Sequence, residues 1–476
     1  MENSGWQAGM GRKKITPFPG VELAGLGYYL NRTWSRVQDE LNATAMVITD
    51  QHGNSAALLA LDILYADVEF VRAIRTEVAR CTDLPAESIC VNCSHSHNAP
   101  TLAFFDGAGE INPEYAHKVV IAAAEAVAIA WSSRAPARLR FGSQRLPGIT
   151  YNRTREGGPV DDRLGVLRVD SLEGSTLGIA VNFHAHPTVL WQVEPRSVSR
   201  DCVGEMVDLL EKATPGAIAM YLQGACGDVN YKLEYWTKER NSEVGVHLFS
   251  AANAASNASR EVPALGLQVA AQEGILPVRR WTREEVTTMY EEGKHRLETG
   301  DTTNWLNGMA RTMVGFPHRL PERYGGSVER AVEAISRFAV RWAEATLPHL
   351  DSLPETRTAE FQAMRIGDVW ISANASEFFS SLDLEIRRRW PYEDLLILGY
   401  SNGSLSYLPD AFEVDRGSYA SHHVAKAIRA LPFTREAGMT AVQESLAALR
   451  KTCPTRQIPS ATSSAPPYLT DVKTRC

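Results

Sequence analysis

No apolar run in the 476-residue chain approaches the roughly 18 residues that a membrane helix needs, so no stable membrane insertion is expected. The opening stretch, MENSGWQAGMGRKKITPFPG, lacks the apolar core of a signal peptide. Basic residues are not in excess. Lys and Arg number 49 against 56 Asp and Glu, which leaves a net charge of −7. That balance argues against nucleic acid as a main partner. Cysteines are few and odd in number, seven between Cys81 and Cys476. They read as reduced thiols rather than a disulfide framework, and the expected compartment is cytoplasmic. Sequons such as those at Asn42 and Asn257 are then chance matches. No internal repeat is present.

What remains is ordinary globular composition, 44% hydrophobic and 22% charged. The length implies two domains or one large layered domain. ATAMVITD and SAALLALDIL read as buried strands joined by a QHGN turn. SICVNCSHSH, ARLRFGSQRL, LGVLRVDS, LGIAVNFHAHP and AIAMYLQGACGD read as further strands. DVEFVRAIRTEVARCTDL, PEYAHKVVIAAAEAVAIAWSS and SRDCVGEMVDLLEKAT carry helical periodicity between them. The class is therefore α/β, a layered sandwich of sheets covered by helices. From about 281 to 350 the pattern turns helical, which predicts an inserted segment or lid. Strands return with AEFQAMRIGDVWISAN and DLLILGYS. Residues 1–452 are expected to form the folded domain. Residues 453–476, rich in Pro, Ser and Thr, are expected to be a disordered tail.

Two histidine pairs stand out. VNCSHSH holds His95 and His97, and VNFHAHP holds His184 and His186, each at the end of an apolar run. Strand alternation puts Val91, Cys93, His95 and His97 on one face and Cys90 on the other, so the C-x-x-C spacing does not chelate a metal. A lone H-x-H also occurs as plain polar residues at a strand end. Two pairs at two strand ends point to a site, because strand ends build active sites in layered α/β folds. Neutral imidazole is a common ligand of transition metals. Two histidines are too few for a catalytic zinc, so a carboxylate or phenolate is needed.

Glu377 stands at a strand-to-helix turn, where an acid also serves the helix dipole. Tyr407 stands in a polar loop, where it also serves packing. Asp228, after a glycine turn, either caps a helix or orients a histidine. His422 and His423 are expected at the surface. His184 shares a strand face with His186 and is a candidate partner for it. Trp236, Trp281 and Trp305 are candidate pocket linings, with the 232–243 loop and the helical stretch around them.

In order along the chain, these segments resemble motifs of the neutral/alkaline ceramidases, a family of zinc-dependent amide hydrolases. SHSHNAP resembles T-H-T-H-S-G-P, HAHPTVL the H-P-T segment, and QGACGDVNY the Q-S-N-x-G-D-V-S-P motif. ASEFFSSLDLEIRRR is similar to P-G-E-F-T and its helix, and Asn402 to Tyr407 keeps the N-D-Y-x-x-Y spacing. TYNRT resembles an N-R-S segment, and LAGLGYY an M-x-G-Y stretch. The resemblance runs from about residue 8 to 420. It implies an αββα-type sandwich, one zinc ion per chain, and His95, His186, Glu377 and Tyr407 as its ligands. It also implies roles for His97 and Arg153 beside the reacting carbonyl.

Three departures accompany the resemblance. Gly224 stands where the family has a serine central to activity. Little foldable chain follows residue 452 for the family's immunoglobulin-like domain. The secretion or membrane signal of many ceramidases has no counterpart here.

The expectation is therefore a zinc-dependent hydrolase of an amide bond in a small cytosolic substrate. Metal-activated water is the nucleophile, His97 the acid or base, and Arg153 or Tyr407 the oxyanion donor. Iron or manganese would also suit a His/Glu/Tyr set. One alternative is a thiol amidase using Cys226. Another is a non-catalytic metal- or ligand-binding homologue.

Overall fold

The structure, a computed structural model, describes residues 5–27, 31–191, 193–304 and 320–453. Tyr28 and Tyr29 of the LAGLGYY stretch, Trp305, and the tail from 454 to Cys476 lie outside the described residues.

The larger of two sheets has the long strands β1 (Trp6–Lys14), β2 (Asn42–Asp50), β3 (Ser55–Leu61), β4 (Ile89–Cys93), β5 (Ala135–Arg145), β6 (Arg163–Ser171), β7 (Thr176–Phe183) and β8 (Ile218–Gln223). Their spatial order is β8-β7-β6-β5-β1-β2-β3-β4. The edge pairs β8–β7 and β3–β4 are parallel, and every pair between them is antiparallel. The two-residue strand Arg260–Glu261 adds to β5. The smaller sheet holds β9 (Leu267–Pro277), β10 (Thr356–Ile366), β11 (Val369–Asn374) and β12 (Leu395–Leu398) in that order.

The apolar runs of β2 and β3 follow from burial on both faces. Met46, Ile48, Leu58 and Ala60 face the small sheet and pack with Ile371, Leu396 and Leu398. Their alternates Ala45, Val47, Leu59 and Leu61 face the helices. Cys90 and Cys93 fall into these two separate cores, as their spacing predicts. All six described cysteines are free thiols.

Helices α1 (Val68–Cys81), α2 (Pro113–Ser132), α3 (Asp201–Ala213) and α4 (Lys238–Asn257) cover the large sheet. Gly11 lets α2 lie directly on β1, because a Cβ there would stand 2.1 Å from the Ala126 carbonyl. The helical stretch is a pair, α5 (Arg283–Thr299) and α6 (Val328–Thr346), placed between β9 and β10. A Thr282–Glu285 capping box starts α5, and Gly300 in the left-handed region (φ 72°) ends it. Helices α7 (Ser380–Arg389) and α8 (Ala437–Lys451) cover the outer face of the small sheet. The layers are therefore α, β, β, α. No helix among the described residues is long and apolar enough to cross a membrane.

Candidate metal centre

The C-terminal ends of six strands converge. In the large sheet, β3 leads to Tyr65, β4 to His95 and His97, β7 to His186, and β8 to the Gly224–Asp228 turn. In the small sheet, β11 leads to Glu377 and β12 to Tyr400. Buried asparagines stitch this end together. Asn92 takes a bond from the Gln223 amide at 2.8 Å and donates to Gly399 O at 2.7 Å, which joins the two edges of the large sheet to the small one. Asn182 donates to Leu222 O at 2.9 Å and to Ile397 O at 3.2 Å.

Strand alternation is not what pairs His95 with His97. The strand ends at Cys93, and His95 adopts a left-handed backbone, φ 63°. That turn brings the two Nε2 atoms to 3.1 Å, far closer than two positions on an extended strand. His186 likewise lies beyond its strand, where it bridges to Asn230 of the short strand Val229–Tyr231. Thr150–Asn152 pairs with that strand and delivers Arg153. Glu377 and Tyr407 are register partners in a short parallel pair.

The sequence-predicted residues meet here. His95, His97 and His186 form a buried group able to hold a metal ion. The Glu377 Oε2 atom lies 3.5 Å from His95 Nε2 and 3.2 Å from His186 Nε2. His95 Nδ1 faces Leu64 O at 3.2 Å, and His186 Nδ1 faces Val229 O at 3.2 Å. A carbonyl only accepts, so each Nδ1 carries the proton and each Nε2 presents a lone pair, faced also by His97 Nε2 at 3.1 Å on His95 and by the Arg153 guanidinium at 3.5 Å on His186. Two lone pairs thus point at a carboxylate oxygen, acceptor against acceptor. Burial drives His95 down to about 3 and His186 well below its ordinary value, so protons on these rings do not relieve the conflict. A cation between them does, and carbonyl-anchored imidazoles plus carboxylate are the donors a divalent transition metal takes.

Arg153 donates to the Tyr407 hydroxyl at 2.6 Å, to Gly227 O at 2.8 Å and to Asn230 Oδ1 at 3.3 Å. Burial pushes the Tyr407 phenol well up, and Arg153 opposes that shift. His97 differs from the other two histidines because its buried Nδ1 has no hydrogen-bond partner. Gly25 packs on that atom, since a Cβ there would stand 2.7 Å away.

Sequence reasoning missed Tyr65 and Tyr400. The Tyr65 hydroxyl donates to Glu377 Oε1, and the Tyr400 hydroxyl donates to Oε2 at 3.3 Å. Each lies just after an apolar run, in LDILYAD and LILGYS, a signal shared with ordinary packing tyrosines. Trp191 was also missed. It packs on His97 with ring centroids 5.3 Å apart and on Trp236 at 6.1 Å.

Other expectations change. Asp228 touches no histidine. It accepts from the Ser380 amide at 2.7 Å at the start of α7, from Ser380 Oγ at 2.8 Å and from Asn152 at 2.7 Å, so of its two readings the helix cap holds. His184 faces away from His186, towards Asp383 at 3.5 Å and Asp161 at 3.8 Å. This second group is no cation site, because the Arg387 guanidinium already sits 2.6 Å from Asp161. His184 also explains Gly224, where a Cβ would stand 2.3 Å from His184 Nδ1. Cys226 bonds the Tyr400 hydroxyl at 3.0 Å, and burial pushes its thiol well up, which disfavours a thiolate nucleophile. His422 and His423 are half-buried in a π-helical turn, Tyr419–His423, not at an open surface. Trp281 packs on His422, with ring centroids 4.8 Å apart, rather than on the histidine centre.

No protein-family model matches the sequence, and no curated protein matches it. Solved structures do. Neutral ceramidase from Pseudomonas aeruginosa superposes with a TM-score of 0.68 at 16% identity, covering 96% of this chain and 76% of that one. A ceramidase complexed with C2 gives 0.68 at 15% identity, covering 96% and 77%. The likeness is one of three-dimensional structure over nearly the whole chain, and this chain has the fold of the neutral ceramidases.

Proposed function

We propose that the chain is a zinc-dependent hydrolase of amide bonds, acting on a small substrate in the cytoplasm. One zinc ion is held by His95, His186, Glu377 and Tyr407. The observation that carries this reading is the pair of imidazole lone pairs aimed at Glu377. The ceramidase fold supports the amide as the bond cleaved.

When bound, the ion supplies Lewis acidity, polarising a carbonyl and lowering the pKa of a water. The chain's own residues do the rest. His97 has a free Nδ1 and an Nε2 beside His95, and it takes a proton and hands it on to the leaving amine. Arg153, fixed by Gly227 and Asn230, offers a preorganised donor to the oxygen where charge develops. The Tyr407 hydroxyl, at 2.6 Å from Arg153, shares that task. Gly224 carries no side chain and supplies no nucleophile.

Elemental analysis tests the metal. About one zinc per chain is expected in the wild type, and little in His95→Ala and His186→Ala. A screen of N-acyl amides then tests the reaction, and Cys226→Ala is expected to retain most of the activity. Protein that takes up no zinc on titration overturns the reading. Tight zinc without turnover of any amide or ester leaves a metal-binding homologue instead.

A further inference from the structure

Away from the histidine centre, α5 and α6 line a half-open pocket of about 760 Å³ together with the π-helical turn and Lys426. Lys426 is 8% exposed, and its ammonium sits between two indoles, 5.3 Å from the Trp281 ring and 5.1 Å from the Trp342 ring. No hydrogen bond or ion pair to it is formed among the described residues. Glu285, on the same lining, is taken up by Arg279 at 2.8 and 3.0 Å. A second polar group lines the same cavity unsatisfied. Ser336 is 2% exposed and its hydroxyl has no partner.

The ammonium opens onto the pocket with no protein acceptor among the described residues, and the Ser336 hydroxyl is buried with none, a costly state for such a group. One ligand with an acceptor group relieves both. The wall beside them is apolar, built by Met289, Val332, Ile335 and Ala339. Glu284 and Glu292 lie on the lining too, which disfavours a multiply charged anion. The volume falls within the range of small-molecule sites.

We propose that this cavity binds a small amphipathic monocarboxylate, its carboxylate on Lys426 and Ser336 and its apolar chain along α6. The site is separate from the metal centre and does not depend on the function proposed above.

Calorimetric titration with sodium octanoate tests it, on the full chain. Wild type binds octanoate, and Lys426→Met weakens binding about tenfold or more, as loss of a charged hydrogen bond requires. Ser336→Ala weakens it several-fold. On wild type alone, octanol, with the same chain and no charge, binds at least about tenfold more weakly than octanoate. The proposal is overturned if octanoate does not bind, if octanol or Lys426→Met matches it, or if inorganic phosphate binds more tightly. The octanol comparison decides even where Lys426→Met does not fold.

Discussion

At the scale of single residues, Glu377 is held by a tyrosine on each oxygen. Tyr65→Phe removes the donor on Oε1 and leaves the ring packing in place. Losing such an outer partner of a ligand typically weakens metal binding by about 10–100-fold. Chelator competition measures it, with the metal-free variant itself losing about 1–3 kcal/mol because the buried Oε1 is left without its donor. Equal zinc affinity in the two proteins would remove Tyr65 from the account. Gly224 gives a second residue-scale prediction. Gly224→Ser places its Cβ against His184 and should cost about 1–3 kcal/mol by overpacking. Denaturant unfolding of Gly224→Ser, His184→Ala and the double variant measures the coupling, and the double variant should be more stable than the two costs added. Strict additivity would show that the two positions do not compete for space.

At the scale of elements, Asp228 joins the β8 turn, the Arg153 segment and the start of α7. Asp228→Ala leaves the Ser380 amide as a buried unpaired donor and takes from Asn152 one of its two acceptors, the other being Pro159 O, a loss of about 1–3 kcal/mol. It also loosens Arg153, one residue from Asn152, so kcat on any amide substrate should fall alongside stability. Unchanged unfolding midpoints would contradict the cap. This scale also shows what the sequence made legible. ATAMVITD and SAALLAL were readable as buried strands because a strand buried on both faces is apolar throughout. The α5 and α6 helices were readable as a helical pattern from about 281 to 350. The candidate metal centre was readable only as ordered fragments around His95, His186, Glu377 and Tyr407. How they converge was not, since it depends on a left-handed turn at His95 and on Asn92 reaching across two sheets. Neither leaves a local signal. Tyr65 and Tyr400 stayed hidden for the same reason, because a hydroxyl that orients a carboxylate looks like any other tyrosine until the distant partner is in place.

At the scale of the whole molecule, a bound ion adds stability by mass action, about 2.7 kcal/mol at a hundredfold excess over Kd. Stripping zinc with a chelator should therefore lower the melting temperature by a few degrees, with recovery on zinc addition. No change would mean that the ion is absent or bound equally by the unfolded chain. Lys426 gives a pH prediction. Burial, and then Arg279, holds its amine down at about 8, against 10.5 ordinarily, with His422, Glu285 and Glu292 also facing it. The folded chain resists that proton, so the charged form is a burden below about 8, relieved as pH rises towards 10.5. Between about pH 7.5 and 10, wild type should gain stability relative to Lys426→Met, which paired urea titrations would resolve. A flat difference would mean that cavity water solvates the amine fully.

The helical pair leaves and rejoins the small sheet at neighbouring points, because β9 and β10 stay in register from Leu267 opposite Ile366 to Pro277 opposite Thr356. The strand register therefore holds both ends of the connection in place, while Trp281, Phe338 and Trp342 tie the excursion into the main core. Closing a longer or shorter excursion between fixed ends changes the free energy only slowly with length. Sequences sharing this framework can vary the excursion, and any ligand preference it encodes, at little cost to the two sheets, with contacts such as Arg341 to Asp106 the part that must be kept or replaced.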